Sequence, residues 1–139
     1  VEWRTHAFAE NLWSTYFGNP RIESVRTGKW KYIRYFKNDR EQWKDLEGAK
    51  GVRLYQVSKE QRELYDHWRT ASIEGEKPVY EELFDLENDP HETTNLAEAQ
   101  EHAEALEELR AKCQELVTEA RGPMDAHPPV PKPEQAKPR

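Results

Sequence analysis

Residues Tyr80 to Leu96 read YEELFDLENDPHETTNL, and the fold turns on how this stretch is read. Leu83, Phe84 and Leu86 form a short apolar run among acids, the pattern of a half-buried strand over Glu82 to Leu86. Asn88-Asp89-Pro90 ends it, because Pro90 has no N–H for a sheet ladder and Asn and Asp side chains bond their own backbone. Asn95 precedes a long segment of 3.6-residue period and has Glu98 three positions on, which predicts a helix N-cap with a box-like partner. The stretch delivers a strand to a helix. By itself it implies no chemistry.

The helix is expected from Ala97 to Ala120, with Ala99, Ala103, Leu106, Leu109, Cys113, Leu116, Val117 and Ala120 as its apolar stripe and Gly122-Pro123 as its stop. Upstream, Thr5 to Asn11 alternates as a first strand. Arg21 to Arg26 and Lys29 to Phe36 read as a hairpin turning at Thr27-Gly28, where glycine is free to take a positive φ. Side chains alternate along a strand, so Trp30, Tyr32 and Phe36 point one way and Ile33 and Tyr35 the other. Both faces of that strand are therefore apolar. One can be covered by the long helix; the other needs a second cover. Between hairpin and fourth strand, Lys37 to Val79 is polar and holds a predicted helix from Ser58 to Ile73. Ser58 is its cap, and Leu64, Tyr65, Trp68 and Ala71 lie on one face. The fold class is α+β: a four-stranded antiparallel sheet with a long C-terminal helix across one face.

A chain of 139 residues makes one small domain, and an apolar fraction of 35% leaves its core lean unless the five Trp, six Tyr and four Phe fill it. No stretch has the ~20 apolar residues of a membrane span, and no secretory signal is present. From Pro123 to Arg139, six of seventeen residues are proline, so this segment reads as an extended or disordered tail after a domain over residues 1–122. A single cysteine, Cys113, rules out an internal disulfide, and its place on the helix stripe makes it a core residue rather than a reactive thiol.

Charge is unevenly placed. Arg21 to Lys37 carries six bases against one acid, with aromatics interleaved, and Glu81 to Ala120 carries thirteen acids against two bases. The basic-aromatic hairpin is the pattern of a single-strand nucleic-acid platform. A net charge of −6 works against phosphate binding, so a sheet facing the acidic helix is the better reading and no nucleic acid is expected. The five histidines do not supply converging ligands, since only Glu98 and His102 share a helical face, so no metal site is expected. Adjacent acids such as Glu81-Glu82 and Glu107-Glu108 diverge and make no acid–base pair.

The wording of Tyr80 to Leu96 is more specific than its physics. Glu82-Leu83-Phe84-Asp85-Leu86-x-x-Asp89-Pro90-x-Glu92-x-x-Asn95-Leu96 resembles the closing segment of the type I, formylglycine-dependent sulfatases, in their small C-terminal subdomain. Ser24 to Ile33, with Arg26-Thr27 leading into Lys31-Tyr32-Ile33, is similar to that family's paired strands and stands in the same order. The resemblance covers residues 5 to 121, with 37–79 read as an insertion.

The resemblance implies a non-catalytic piece. The family's nucleophile lies in a Cys/Ser-x-Pro-x-Arg motif, and neither Cys113 nor Ser14, Ser24, Ser58 or Ser72 has that context. The chain begins at Val1 without an initiator Met, as an excised fragment would. The resemblance places formylglycine and calcium in an N-terminal catalytic domain of the same polypeptide, acting on a sulfated carbohydrate or other sulfate ester. It also suggests a periplasmic or secreted parent. Asp89, Pro90, Glu92, Asn95 and Leu96 are then architectural, and Trp13, Tyr16 and Phe17 are candidates for substrate-wall or interdomain contacts. The competing reading is an independent module that binds a protein or polyanion through hairpin 21–37. No catalytic, cofactor or metal residue is assigned to this chain.

Overall fold

The computed structural model describes residues 4–12, 21–37 and 59–121. Four strands, β1 (Ala7–Asn11), β2 (Arg21–Arg26), β3 (Trp30–Phe36) and β4 (Tyr80–Asp85), form an antiparallel sheet in the order β1-β2-β3-β4. Helix α1 (Lys59–Ala71) precedes β4, and a 3₁₀ turn (Gln100–His102) leads into helix α2 (Ala103–Arg121). The fold is α+β. Among the described residues no helix is long and apolar enough to cross a membrane. The Trp13–Pro20 loop, residues 38–58 of the insertion and the proline-rich tail lie outside the described residues.

The registers Phe8↔Val25, Val25↔Tyr32 and Tyr32↔Leu83 put one apolar row across all four strands. Leu106, Leu109, Cys113 and Val117 of α2 pack on that row, and Val25, Tyr32, Leu83, Cys113 and Val117 are all fully buried. The next row on the same face is Glu10, Glu23, Arg34 and Glu81. A charged row beneath a helix is costly unless every charge is paired. Here α2 pairs it. Arg121 reaches Glu10 (2.8 Å) and Glu23, Gln114 accepts from Arg34 (2.9 Å), and Arg110 grips Glu81.

Several sequence expectations shift. The β2–β3 turn does not use Gly28 at positive φ. The Thr27 hydroxyl accepts from the N–H groups of Lys29 (3.2 Å) and Trp30 (2.8 Å), and Thr27 N–H donates to Trp30 C=O, so the threonine closes the turn. Strand β4 starts at Tyr80, earlier than Glu82, because its acids are not a solvated flank: Glu81 meets Arg110, and Glu82 accepts from the Tyr35 hydroxyl (2.6 Å). Helix α2 starts at Ala103, not Ala97, and its stripe is shorter than expected. Ala103 and Ala120 are exposed, whereas Arg121 is buried by its carboxylate partners. Helix α1 keeps to its expected span within two residues at each end, with Trp68 and Ala71 buried; Ser58 and the side chains of Leu64 and Tyr65 lie outside the described residues. Gly75 takes φ +106 just after it, and Glu76 N–H bonds back to Ala71 C=O (2.8 Å), a left-handed helix stop.

Leu109 is 4% exposed, so Leu109→Ala is expected to cost ~2–5 kcal/mol through lost transfer energy and a cavity. Glu108→Ala, next to it on the wet side, is expected to stay within ~0.5 kcal/mol. Urea melts of the two variants check the helix phase; equal losses would refute it.

Candidate functional site

The strand ends from which the β1–β2 and β3–α1 connections leave or enter lie at one end of the sheet. The described chain leaves β1 at Leu12 and resumes at Arg21, and leaves β3 at Lys37 and resumes at Lys59. The row Asn11, Ile22, Tyr35, Tyr80 marks that end on the face away from α2. Arg21 closes it from the other face. Its side chain is 5% exposed, and its guanidinium lies over the rings of Phe36 (5.4 Å) and Trp68 (5.7 Å). It pairs with Glu76 (2.6 Å) and donates to Lys37 C=O (3.4 Å). A planar cation between two aromatic rings gains cation–π attraction on both sides. One residue thus ties together the bases of both connections, helix α1 and the turn before β4. Trp13, Tyr16 and Phe17 belong to the first connection and lie outside the described residues.

The motif residues do separate jobs. Asp89 Oδ2 accepts from the N–H groups of Thr93 (2.7 Å) and Thr94 (2.9 Å), while Oδ1 accepts from the Thr93 hydroxyl (3.0 Å). Desolvation works against this carboxylate. Those donors outweigh it and hold Asp89 below its usual pKa. Pro90 and His91 sit inside this turn, and Glu92 takes φ +55, a left-handed conformation uncommon for a residue with a side chain, while its carboxylate pairs with Lys31 (2.5 Å).

Asn95 is not a helix N-cap. Its Oδ1 accepts from the N–H groups of Leu83 and Ala97 (both 3.0 Å), and its Nδ2 donates to Glu81 C=O and the Tyr80 hydroxyl (both 3.1 Å). Leu96 N–H then bonds Leu83 C=O (2.8 Å). The carboxamide stands in for the peptide group of a fifth strand and closes the outer edge of β4, the kind of edge that otherwise stays open to foreign strands. The chain still runs beside β4 at Leu96, so the helix cannot begin until the 3₁₀ turn has redirected it; that turn starts after Ala99, which makes no side-chain cap bond. Glu98, the expected box partner, is exposed.

Asp89, Glu92 and Asn95 therefore point to three different partners and do not converge on a cation. Among the described residues no group of three or more His, Cys, Asp or Glu side chains is placed to hold a metal. Cys113 is fully buried, and burial pushes its thiol up to about 11, which suits packing rather than reaction. Arg110, through its side-chain bonds, holds Glu81 below the usual carboxylate range; desolvation opposes this and the Tyr32 hydroxyl, with its own pKa raised mainly by burial, assists it. Around these groups, Tyr32, Arg34, Ile73, Lys77, Arg110 and Gln114 line a cleft of about 750 Å³ between α2 and the turn before β4.

The face of the sheet turned away from α2 carries Ile22, Ile33 and Tyr35 half-buried and Tyr80 53% exposed. No described helix or strand packs on it. Both helices lie on the other side, where Ser72, just after α1, bonds Glu23 (2.7 Å).

No protein-family model matches the chain, and no curated protein matches it. Solved structures do. One is a candidate sulfatase from Bacteroides thetaiotaomicron VPI-5482, at 21% identity and a TM-score of 0.49, which aligns with 86% of this chain and 17% of its own. Another is BT4656, solved in complex with its substrate D-glucosamine-2-N,6-O-disulfate, at 18% identity and a TM-score of 0.50, over 87% of this chain and 17% of its own. At such identity the likeness to BT4656 is one of fold. The chain spans 17% of the length of either structure.

Sequence reading takes Arg21 and Arg34 as bases of the hairpin and gives Glu23, Arg110, Arg121 and Tyr80 no role. For Arg21, Glu23 and Arg34 the available signal is a charge at an inward strand position, which needs the register to be seen.

The edge closure and the Glu81 ion pair can each be measured. In Asn95→Ala, amide exchange at Leu83 is expected to accelerate while α2 amides stay protected, with a cost of ~1–3 kcal/mol from the unsatisfied edge; loss of protection throughout α2 instead would restore the cap reading. Glu81 has a lowered pKa in the fold, so its contribution is whole above the ordinary carboxylate value of ~4.3 and is lost as pH falls through the lowered one. Arg110 is 37% exposed, which keeps that contribution near ~1 kcal/mol. Glu81→Gln is therefore expected to be about that much less stable at pH 7 and to converge with the wild type in acid melts once the pH has fallen through the lowered Glu81 value.

Proposed function

We propose that this chain is the C-terminal structural subdomain of a sulfatase, a sulfuric ester hydrolase whose chemistry is carried elsewhere on a longer polypeptide. The observation that carries the reading is a sheet of BT4656-like fold whose second face, with Ile22, Ile33, Tyr35 and Tyr80, has no described helix or strand against it, the turn around Glu92 covering only its Lys31–Phe84 end. Burying such a face removes apolar surface from water at about 25 cal/mol per Å². Its natural cover is the catalytic domain of the same protein. In this reading that domain holds the formylglycine nucleophile and calcium, and the sulfate ester is one on a carbohydrate, in keeping with the glucosamine disulfate of BT4656. The subdomain completes the fold, and in this reading Trp13, Tyr16 and Phe17, in the connection after β1, contribute to the substrate-pocket wall.

The hairpin-module reading is less well supported. Arg21 and Arg34 are buried, Tyr32 is fully buried and Lys31 is paired with Glu92, so the hairpin does not present a row of free cations and rings to a polyanion.

The purified chain is expected to show no hydrolysis of a chromogenic aryl sulfate above the buffer rate, with or without calcium. The protein including its upstream region is expected to carry a Cys/Ser-x-Pro-x-Arg motif and to turn the ester over. Turnover by the chain alone, or an upstream region without that motif, would overturn the proposal.

A further inference from the structure

We propose that the cleft at the outer edge of β4 beside Tyr80 is a binding site for a single pyranose ring of a glycan. The cleft, of about 290 Å³, is lined by Pro78, Val79, Tyr80, Asn95, Glu98 and Arg110. Ligand pockets start near ~300 Å³, so it is scaled to one ring rather than to an extended peptide. Val79 and Tyr80 are the two large apolar side chains most open to solvent among the described residues, at 67% and 53% exposed. Tyr80 is held on two sides, its ring tilted against Tyr35 at 5.5 Å and its oxygen accepting from Asn95.

The hydrogen-bond inventory leaves specific groups over. All four positions of the Asn95 carboxamide are occupied, both donors and both acceptor sites. Tyr80 therefore accepts from Asn95 and keeps its own proton for another acceptor, and no described residue takes it. Arg110 uses three of its five N–H groups, on Glu81 twice and on Glu107 once, which leaves one on each terminal nitrogen. Glu98 is exposed and has no described hydrogen-bond or ion-pair partner.

An exposed aromatic edge with a phenol donor, guanidinium N–H groups and a free carboxylate around it suits a ring whose C–H groups stack and whose hydroxyls both donate and accept. A free anion fits poorly. The charge of Arg110 is already matched by Glu81 and Glu107, and Glu98 adds a negative charge. Tyr80 also ends the Tyr35 row of the face assigned to docking, so the site is read on this chain by itself, where Tyr80 is 53% exposed. This proposal goes beyond the sulfatase reading and needs only this chain.

The test is an amide-shift titration of the isotopically labelled chain with cellotetraose, chitotetraose and a heparin-derived tetrasaccharide. Saturable shifts at Tyr80, Asn95, Ala97 and Glu98 with at least one of the two uncharged glycans are expected. Tyr80→Phe, which keeps the ring and loses the proton, is expected to weaken binding about two- to tenfold, and Glu98→Ala by a similar factor. Tyr80→Ala is expected to abolish it, and its unchanged spectrum away from β4 is the check on folding. No saturable shift with any glycan at tens of millimolar overturns the site. So does binding of the heparin fragment alone, or binding that survives both Tyr80→Phe and Glu98→Ala undiminished. A sulfatase assay on the longer protein reads a different property, so the failure of either proposal is visible without the other.

Discussion

The Glu23 carboxylate is the constraint on which the rest of the structure depends. It is 1% exposed, and both its oxygens are filled: one by the Arg34 guanidinium, the other by Arg121 and the Ser72 hydroxyl. These partners come from β3, from the last residue of α2 and from the turn after α1, so a single acid fixes three elements against β2. Removing one partner of a buried charge set costs ~3–5 kcal/mol, because the charges left behind lose their compensation. An apolar row could hold α2 on the sheet at several sliding positions. The charged row beside it admits one, since Arg121, Gln114 and Arg110 meet their partners only when the helix is placed along its axis to within a hydrogen-bond length.

The two outer strands end differently, and chemistry explains the difference. On the β4 side, Asn95 and Leu96 supply the donors and acceptors that a further strand would have supplied. That closes the edge and obliges the chain to travel on before α2 can start. On the β1 side, Ala7, Ala9 and Glu10 are exposed, and the strand meets the core through half-buried Phe8 and the helix end through Arg121 to Glu10. The fold is thus tight along β2, β3 and β4, where the apolar row and the charged row both have partners, and lighter at β1.

Much of this was legible in the sequence. The strands, their alternation, α1 and most of the α2 stripe followed from period and punctuation, because apolar spacing and a turn proline such as Pro90 act locally. The expected Gly122-Pro123 stop lies outside the described residues. The resemblance carried by Glu82 to Leu96 pointed to a fold that the comparison with BT4656 supports. What stayed hidden was everything that depends on register. Glu23, Arg34 and Glu81 look like ordinary surface charges until the register sets Glu23 opposite Arg34 and Arg34 opposite Glu81, which lines all three up beneath the helix. Asn95 fitted an N-cap because an Asn before a helical period satisfies that rule. Only its distance to Leu83 tells a cap from an edge closure.

Arg21 joins the architecture to the proposed function. A buried arginine between Phe36 and Trp68 stabilises the sheet, but a leucine there would fill space more cheaply in desolvation. What a leucine could not do is bind Glu76 and Lys37 C=O at once, and those contacts fix where the two long connections leave the sheet. Connections that only closed a chain would need no such anchor, since loop closure alone costs little more as loops lengthen. A protein that uses those connections as a wall does need it, because a wall is useful only if its base is immobile. The polar knot at this end of the sheet, rather than the apolar core, is therefore what fixes the points at which both connections leave the sheet, the condition that the proposed wall requires.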